Sequence, residues 1–186
     1  MIAYRTKTYV AGEWSGDSDA IEQLYKWNEG DRWRFHFNDA HAYKQCYDTS
    51  KPCTIKDSLR DRMSHSKVFV LIVGNDTAIV RKGSCAYQDC ANKQFDFSSG
   101  HYYCTAICKT YSTQSFIDYE CQMAYCAYLR SVMRIVVLYN AVSVDKTKCP
   151  EVLRNIGIHL PMKCWKNGVW GRYKDWDYGT VKNAIG

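Results

Sequence analysis

Ser66-Lys67-Val68-Phe69-Val70-Leu71-Ile72-Val73-Gly74-Asn75-Asp76-Thr77 is the stretch that decides the fold. Its apolar run is unbroken, rich in β-branched residues and closed by turn formers. That predicts a strand covered on both faces, as in a parallel sheet. Working outward, Ile135 to Leu138 within Met133-Arg134-Ile135-Val136-Val137-Leu138 repeats the signature, and Lys7-Thr8-Tyr9-Val10-Ala11 gives another strand. Trp33-Arg34-Phe35-His36-Phe37 alternates as a half-buried or edge strand does, with a polar loop from Asn38 to Cys53. Helical stretches lie between. One is capped by Asp17 or Ser18 and carries Ile21, Leu24, Tyr25 and Trp27; Gly12 to Asp17 before it reads as a Gly-rich loop. Thr54-Ile55-Lys56-Asp57 reads as a capping box opening a helix with Ile55, Leu59, Arg62 and Met63 on one face. Tyr178, Val181 and Ile185 mark a last amphipathic helix. The alternation predicts an α/β fold with a parallel sheet flanked by helices. Ligands then bind beyond the carboxyl ends of the strands, here Gly12 to Asp17, Asn38 to Tyr43, Gly74 to Thr77, and Asn140.

The chain has 186 residues, expected to form one domain, 1–186. Residues 83–114 read as an irregular, Cys-rich insert, and 160–186 as a Trp-rich tail with a possible short helix at Glu151 to Asn155 ahead of it. A hydrophobic fraction of 46% with 15% aromatics excludes disorder. No apolar run reaches the length of a membrane span, and Met1 to Lys7 lacks the pattern of a signal peptide. The expected location is the cytosol, with no membrane partner. In that compartment the ten cysteines are expected to be mostly reduced. Cys85, Cys90, His101, Cys104 and Cys108 fit structural zinc spacing only in part, so no metal is expected. Formal net charge is +6, which suits an anionic small molecule. The basic residues are mixed with acids, as in Lys56-Asp57-Ser58-Leu59-Arg60-Asp61-Arg62, the mark of a solvated helix face; nucleic acid is not an expected partner.

Tyr119-Glu120-Cys121-Gln122-Met123-Ala124 holds the chief candidate for chemistry. At helical spacing Glu120 shares a face with Phe116, Met123, Ala124 and Ala127. A Glu on such a face either lines a cleft or meets a cation, and periodicity leaves the two open.

Lys7-Thr8-Tyr9-Val10, Phe35-His36-Phe37-Asn38-Asp39-Ala40-His41, Thr54 to Leu59, Ser66 to Thr77, and Tyr119-Glu120 with Ala124 together resemble the TIR-like family. More narrowly they are similar to the TIR-like proteins of bacterial Thoeris anti-phage systems, over about residues 5–140. The resemblance implies a flavodoxin-like parallel sheet flanked by helices in three layers. It implies cleavage of the bond between nicotinamide and ribose of NAD, as an NAD glycohydrolase or ADP-ribosyl cyclase. The product would be a cyclic or modified ADP-ribose that activates a downstream effector protein. NAD is then a substrate and no cofactor is expected; homo-oligomers through TIR surfaces are expected. By matching position Glu120 is the catalytic residue. Gly12, Trp14, Asp39, His41, Tyr43 and Tyr119 are candidate substrate contacts. The aromatic ones would stack on the rings, Asp39 and His41 would meet the ribose or only turn the loop, and backbone N–H groups of Gly12 to Gly16 would meet phosphates. The family's first strand often ends in a Ser, where this chain has Ala11-Gly12. Two alternatives stand beside this reading: a catalytically inactive TIR-like interaction module, and a nucleoside deoxyribosyltransferase-like hydrolase, which also uses a Glu at a ribose C1 centre.

Overall fold

A parallel sheet of five strands organises the chain, in the order β2-β1-β3-β6-β7. The computed structural model describes residues 7–30, 36–39, 52–85, 92–105 and 113–186. The sheet strands are β1 (Lys7–Ala11), β2 (His36–Asp39), β3 (Val68–Val73), β6 (Arg134–Tyr139) and β7 (Ile158–Pro161). The helices are α1 (Trp14–Gly30), α2 (Pro52–Ser64), α3 (Phe116–Leu129) and α4 (Tyr178–Ile185). Two antiparallel hairpins stand apart from the sheet: β4 (Lys93–Asp96) with β5 (His101–Cys104), and β8 (Lys163–Gly168) with β9 (Gly171–Trp176). This is the parallel sheet flanked by helices that the alternation predicts, in the three-layer, flavodoxin-like arrangement that the resemblance implies.

The period of two along β3 builds the layers. Phe69, Leu71 and Val73 face α2 and α3, with Tyr9, Ala11, Ile135, Val137 and Tyr139. Val68, Val70 and Ile72 face α1 and α4, with Val10, Val136 and Leu138. Every residue of β3 is buried, because helices cover both sides of a central parallel strand. Between α1 and the tail, Trp27 packs edge-on against both Trp176 and Tyr178.

Several expectations shift. α1 starts at Trp14, so Trp14 to Gly16 is a helical turn and not open loop; Asp17 breaks the helix locally with φ −126° and ψ 21°. β2 spans His36–Asp39, which moves Asn38 and Asp39 from the expected loop into the sheet, with Asp39 opposite Val10. α2 starts at Pro52, ahead of the expected capping box, since proline suits a first helical turn whose N–H groups have no partner. Its buried stripe is Pro52, Cys53, Lys56, Leu59 and Met63, so Lys56 is not on a solvated face. The insert at 83–114, read as irregular, contains the β4–β5 hairpin. A fifth sheet strand, β7, runs into the start of the tail, and the tail holds a second hairpin that its polar, aromatic sequence did not signal.

Chain reversal puts the switch point between β1 and β3: β2 lies on one side of β1 and β3 on the other. The crevice of such a fold opens at the carboxyl ends of these two strands.

Candidate active site

α3 is fixed at its N-terminus by a complete capping box. The Ser115 hydroxyl accepts from the Asp118 N–H, and the Asp118 carboxylate accepts from the Ser115 N–H. The Phe116 N–H donates to the Lys82 carbonyl, and a side chain at Gly83 (φ +93°) would strike the Phe116 ring. The turn before the helix thus sets where α3 begins. One turn on, Glu120 has 0% of its surface exposed. The Tyr9 phenol donates to Glu120 Oε1 at 2.6 Å. Tyr9 is itself buried in mid-sheet and stacked on Phe69. A hydrogen bond to a carboxylate is among the stronger ones a side chain makes. Beside it, burial and the Glu120 charge both push the Cys121 thiol well up, so it stays protonated. Cys121 is packing, not a nucleophile.

Tyr119 points elsewhere. It lines a groove of about 410 Å³ between α2 and α3, with Met63, Gln122, Met123 and Arg130. Burial pushes its phenol pKa up. The Lys56 ammonium lies 5.6 Å from its ring centre and donates to the Gln114 carbonyl at 2.7 Å. Lys56 therefore ties α2 to the loop that starts α3. Its spacing with Cys53, Leu59 and Met63 carried that signal, which the surrounding charges hid. A second open cavity, about 660 Å³, is lined by Arg81, Gln114, Asp118, Gln122 and Glu151. Glu120 lines neither of these two spaces.

Gly12 ends β1 on the α1 side of the sheet, where a Cβ would meet Ile21 and Ile72 at 3.3 Å. Of the N–H groups expected to cradle phosphates beyond it, those of Ser15 and Gly16 are engaged within the first turn of α1. The N–H groups of Gly16 and Asp17 donate to the Glu13 carbonyl, and that of Ser15 to the Glu13 carboxylate. The same rim is acidic. Asp17 fills the crevice above β3, so closely that a Cβ on Gly74 would lie 2.1 Å from its carboxylate. Asn140 bridges Asp17 (3.1 Å) and Asp19 (2.8 Å) through one amide nitrogen. Burial, first, then Asp19, Glu13 and Asp76 push the Asp17 pKa up, against the Asn140 hydrogen bond. Among the described residues this carboxylate cluster occupies the crevice above β3, with Lys163 3.2 Å from Asp19. Sequence reading placed Asp17 and Asn140 at strand ends but gave neither a part in the site.

His41 and Tyr43 lie outside the described residues, as do the side chains of Trp14 and Asp39. Of the residues whose spacing fits structural zinc only in part, Cys85 and Cys104 are buried and His101 is exposed; Cys90 and Cys108 lie outside the described residues.

Residues 2–82 match the family described as Thoeris protein ThsB, TIR-like domain. That span runs from before β1 to the turn after β3 and ends ahead of α3, so the resemblance read in the sequence holds for the first half of the sheet. No curated protein matches the chain.

Proposed function

We propose that this chain, which carries a TIR-like domain of the Thoeris ThsB kind over residues 2–82, is an NAD-consuming enzyme of anti-phage defence with Glu120 as its catalytic carboxylate. One observation supports the assignment above others. A carboxylate is held on the apolar face of α3, oriented by the Tyr9 phenol, against the middle of a parallel sheet. A fold gains little stability from burying such a group, and retained buried acids often serve function.

In this reaction the bond between ribose C1 and the nicotinamide nitrogen breaks. Its electron pair leaves with nicotinamide, which becomes neutral and needs no acid. Positive charge builds on the ribose, and Glu120 stabilises it while accepting hydrogen bonds from ribose hydroxyls. Water, or a nitrogen or oxygen of the ADP-ribose itself, then bonds to C1 and loses its proton. Capture from within gives a cyclic product, and it requires water to be kept out. A carboxylate with no exposed surface cannot reach a ribose as it stands. Turnover therefore needs an opening step at the Tyr9–Glu120 contact, which fits an enzyme silent until triggered. The product would act on a downstream effector protein.

The test is mass spectrometry of nucleotides from cells that express the wild type or Glu120→Gln during phage challenge. NAD loss and a new ADP-ribose product are expected in the wild type and not in the variant. Wild-type-like turnover in Glu120→Gln would remove Glu120 from the mechanism. The inactive-module reading also has a specific observation behind it: complete enclosure of Glu120, with Ala11-Gly12 where the family often has a Ser. It predicts no NAD consumption under challenge by either protein.

A further inference from the structure

The β8–β9 hairpin leaves the sheet after β7, at the carboxyl rim, and ends in a two-residue tip, Val169-Trp170. Val169 is 95% exposed and Trp170 99% exposed. An indole left wholly in water at a convex tip contributes nothing to the core, and exposed apolar surface of this kind marks contact with something else. Behind the tip the pairing is Asn167 with Arg172, Lys166 with Tyr173, and Trp165 with Lys174. Arg172 and Lys174 lie on one face, over the Trp165 ring; Lys166 lies on the other, paired with Asp175 at the base. At ~3.3 Å per residue Arg172, Lys166 and Tyr173 sit within about 10 Å of the tip, and Trp165 and Lys174 about 13 Å from it.

We propose that this hairpin docks on an anionic membrane surface, with Val169 and Trp170 inserted shallowly and Lys166, Arg172 and Lys174 at headgroup level. The tip is apolar, and behind it Arg172, then Tyr173 with Lys166 and Trp165 with Lys174 mix cations and amphipathic rings, the residue types a bilayer interface takes. Arg172 and Lys174 carry the positive charge behind the tip, while Lys166 on the other face is paired with Asp175 at 2.6 Å. Single-stranded nucleic acid fits less well. It needs open ring faces along a groove, whereas the Trp165 face is already covered by Arg172 and Lys174. Among the described residues no helix is long and apolar enough to cross a membrane, so contact would be peripheral. The proposal departs from the expectation of no membrane partner and does not depend on NAD turnover.

The test is co-sedimentation of the full chain with vesicles of phosphatidylcholine, with and without phosphatidylserine, alongside fluorescence-detected binding to a single-stranded oligonucleotide. Binding is expected only with phosphatidylserine and is expected to weaken with salt. Val169→Ser with Trp170→Ser should lose about ten-fold or more in affinity. Arg172→Gln with Lys174→Gln should lose about twenty-five-fold, from ~1 kcal/mol per cation. Unchanged circular dichroism will show that the tip variants stay folded. Failure to bind phosphatidylserine vesicles at low salt, wild-type affinity in the Val169/Trp170 variant, or Trp170-dependent binding to the oligonucleotide alone would each overturn the proposal.

Discussion

Tyr9→Phe tests the arrangement at Glu120 most directly. The change removes one oxygen and leaves the ring, its stack on Phe69 and its packing in place. What is lost is the 2.6 Å hydrogen bond to Glu120 Oε1, between two groups with no exposed surface. Hydrogen bonds to charged groups contribute about 1.5–3 kcal/mol, and water cannot replace a donor in a closed site. Tyr9→Phe should therefore cost about 2 kcal/mol, or roughly 4–8 °C in Tm for a chain of this size. Glu120→Gln keeps a carbonyl oxygen as acceptor but turns the bond neutral, worth about 1 kcal/mol. A double-mutant cycle by urea denaturation should then give a coupling of about 1 kcal/mol or more between the two sites. Additive effects, within about 0.5 kcal/mol, would show that the phenol does not hold the carboxylate. A cost below about 0.5 kcal/mol for Tyr9→Phe alone would say the same.

Two further outcomes follow from the rim and the tail. Gly74→Ala should destabilise the protein by about 1–3 kcal/mol, because its Cβ would collide with the Asp17 carboxylate; adding Asp17→Ala should restore part of the loss, and a thermal melt that shows simple additivity would contradict the contact. His159 accepts from or donates to the Tyr139 hydroxyl at 2.9 Å, with its other nitrogen 3.1 Å from the Leu153 and Ile156 carbonyls. Burial, ahead of the opposing carbonyl contacts, lowers its pKa below the ordinary 6.5. The unfolded chain takes up this proton first as pH falls, so the contribution is complete above about pH 6.5 and is lost below it, down to the folded pKa. Urea midpoints between pH 7.5 and 5 should fall less steeply in His159→Gln than in the wild type, and equal slopes would refute the assignment.

The centre of the sheet was legible because β3 and β6 are buried on both faces, and burial on both faces leaves an unbroken apolar run. Glu120 was legible because one acid interrupts the small, apolar face of α3. Its partner was not. Tyr9 in a strand reads as a β-former packed in a core, and only the tertiary fold brings residue 9 to residue 120. Lys56 was misread for the opposite reason: its neighbours are charged, while its own register matches Leu59 and Met63. β7 is an edge strand of only four residues, Ile158–Pro161, none of them fully buried, so the long apolar run that marks the central strands is missing there.

Charge carries the argument furthest from where the sequence pointed. A net charge of +6 suits an anionic ligand, and the Gly12 to Gly16 stretch was the expected cradle. That end of the crevice instead carries Glu13, Asp17, Asp19 and Asp76, with the nearby N–H donors of Ser15, Gly16 and Asp17 engaged. Under the proposed reaction, the diphosphate is placed instead on the α3 side of the sheet. There Arg81 lines the open cavity at the start of α3, with Gln114 and two carboxylates, Asp118 and Glu151. Under the proposed reaction, Arg81→Gln should raise KM for NAD by about ten-fold, the loss of one charge-assisted hydrogen bond, with little change in kcat. Gly16→Ala should leave both unchanged, since a Cβ there has its nearest neighbour, the Glu13 Cγ, 4.0 Å away. The reverse pattern, a KM effect at Gly16 and none at Arg81, would return the phosphates to the β1 loop and refute the route through the α3 cavity.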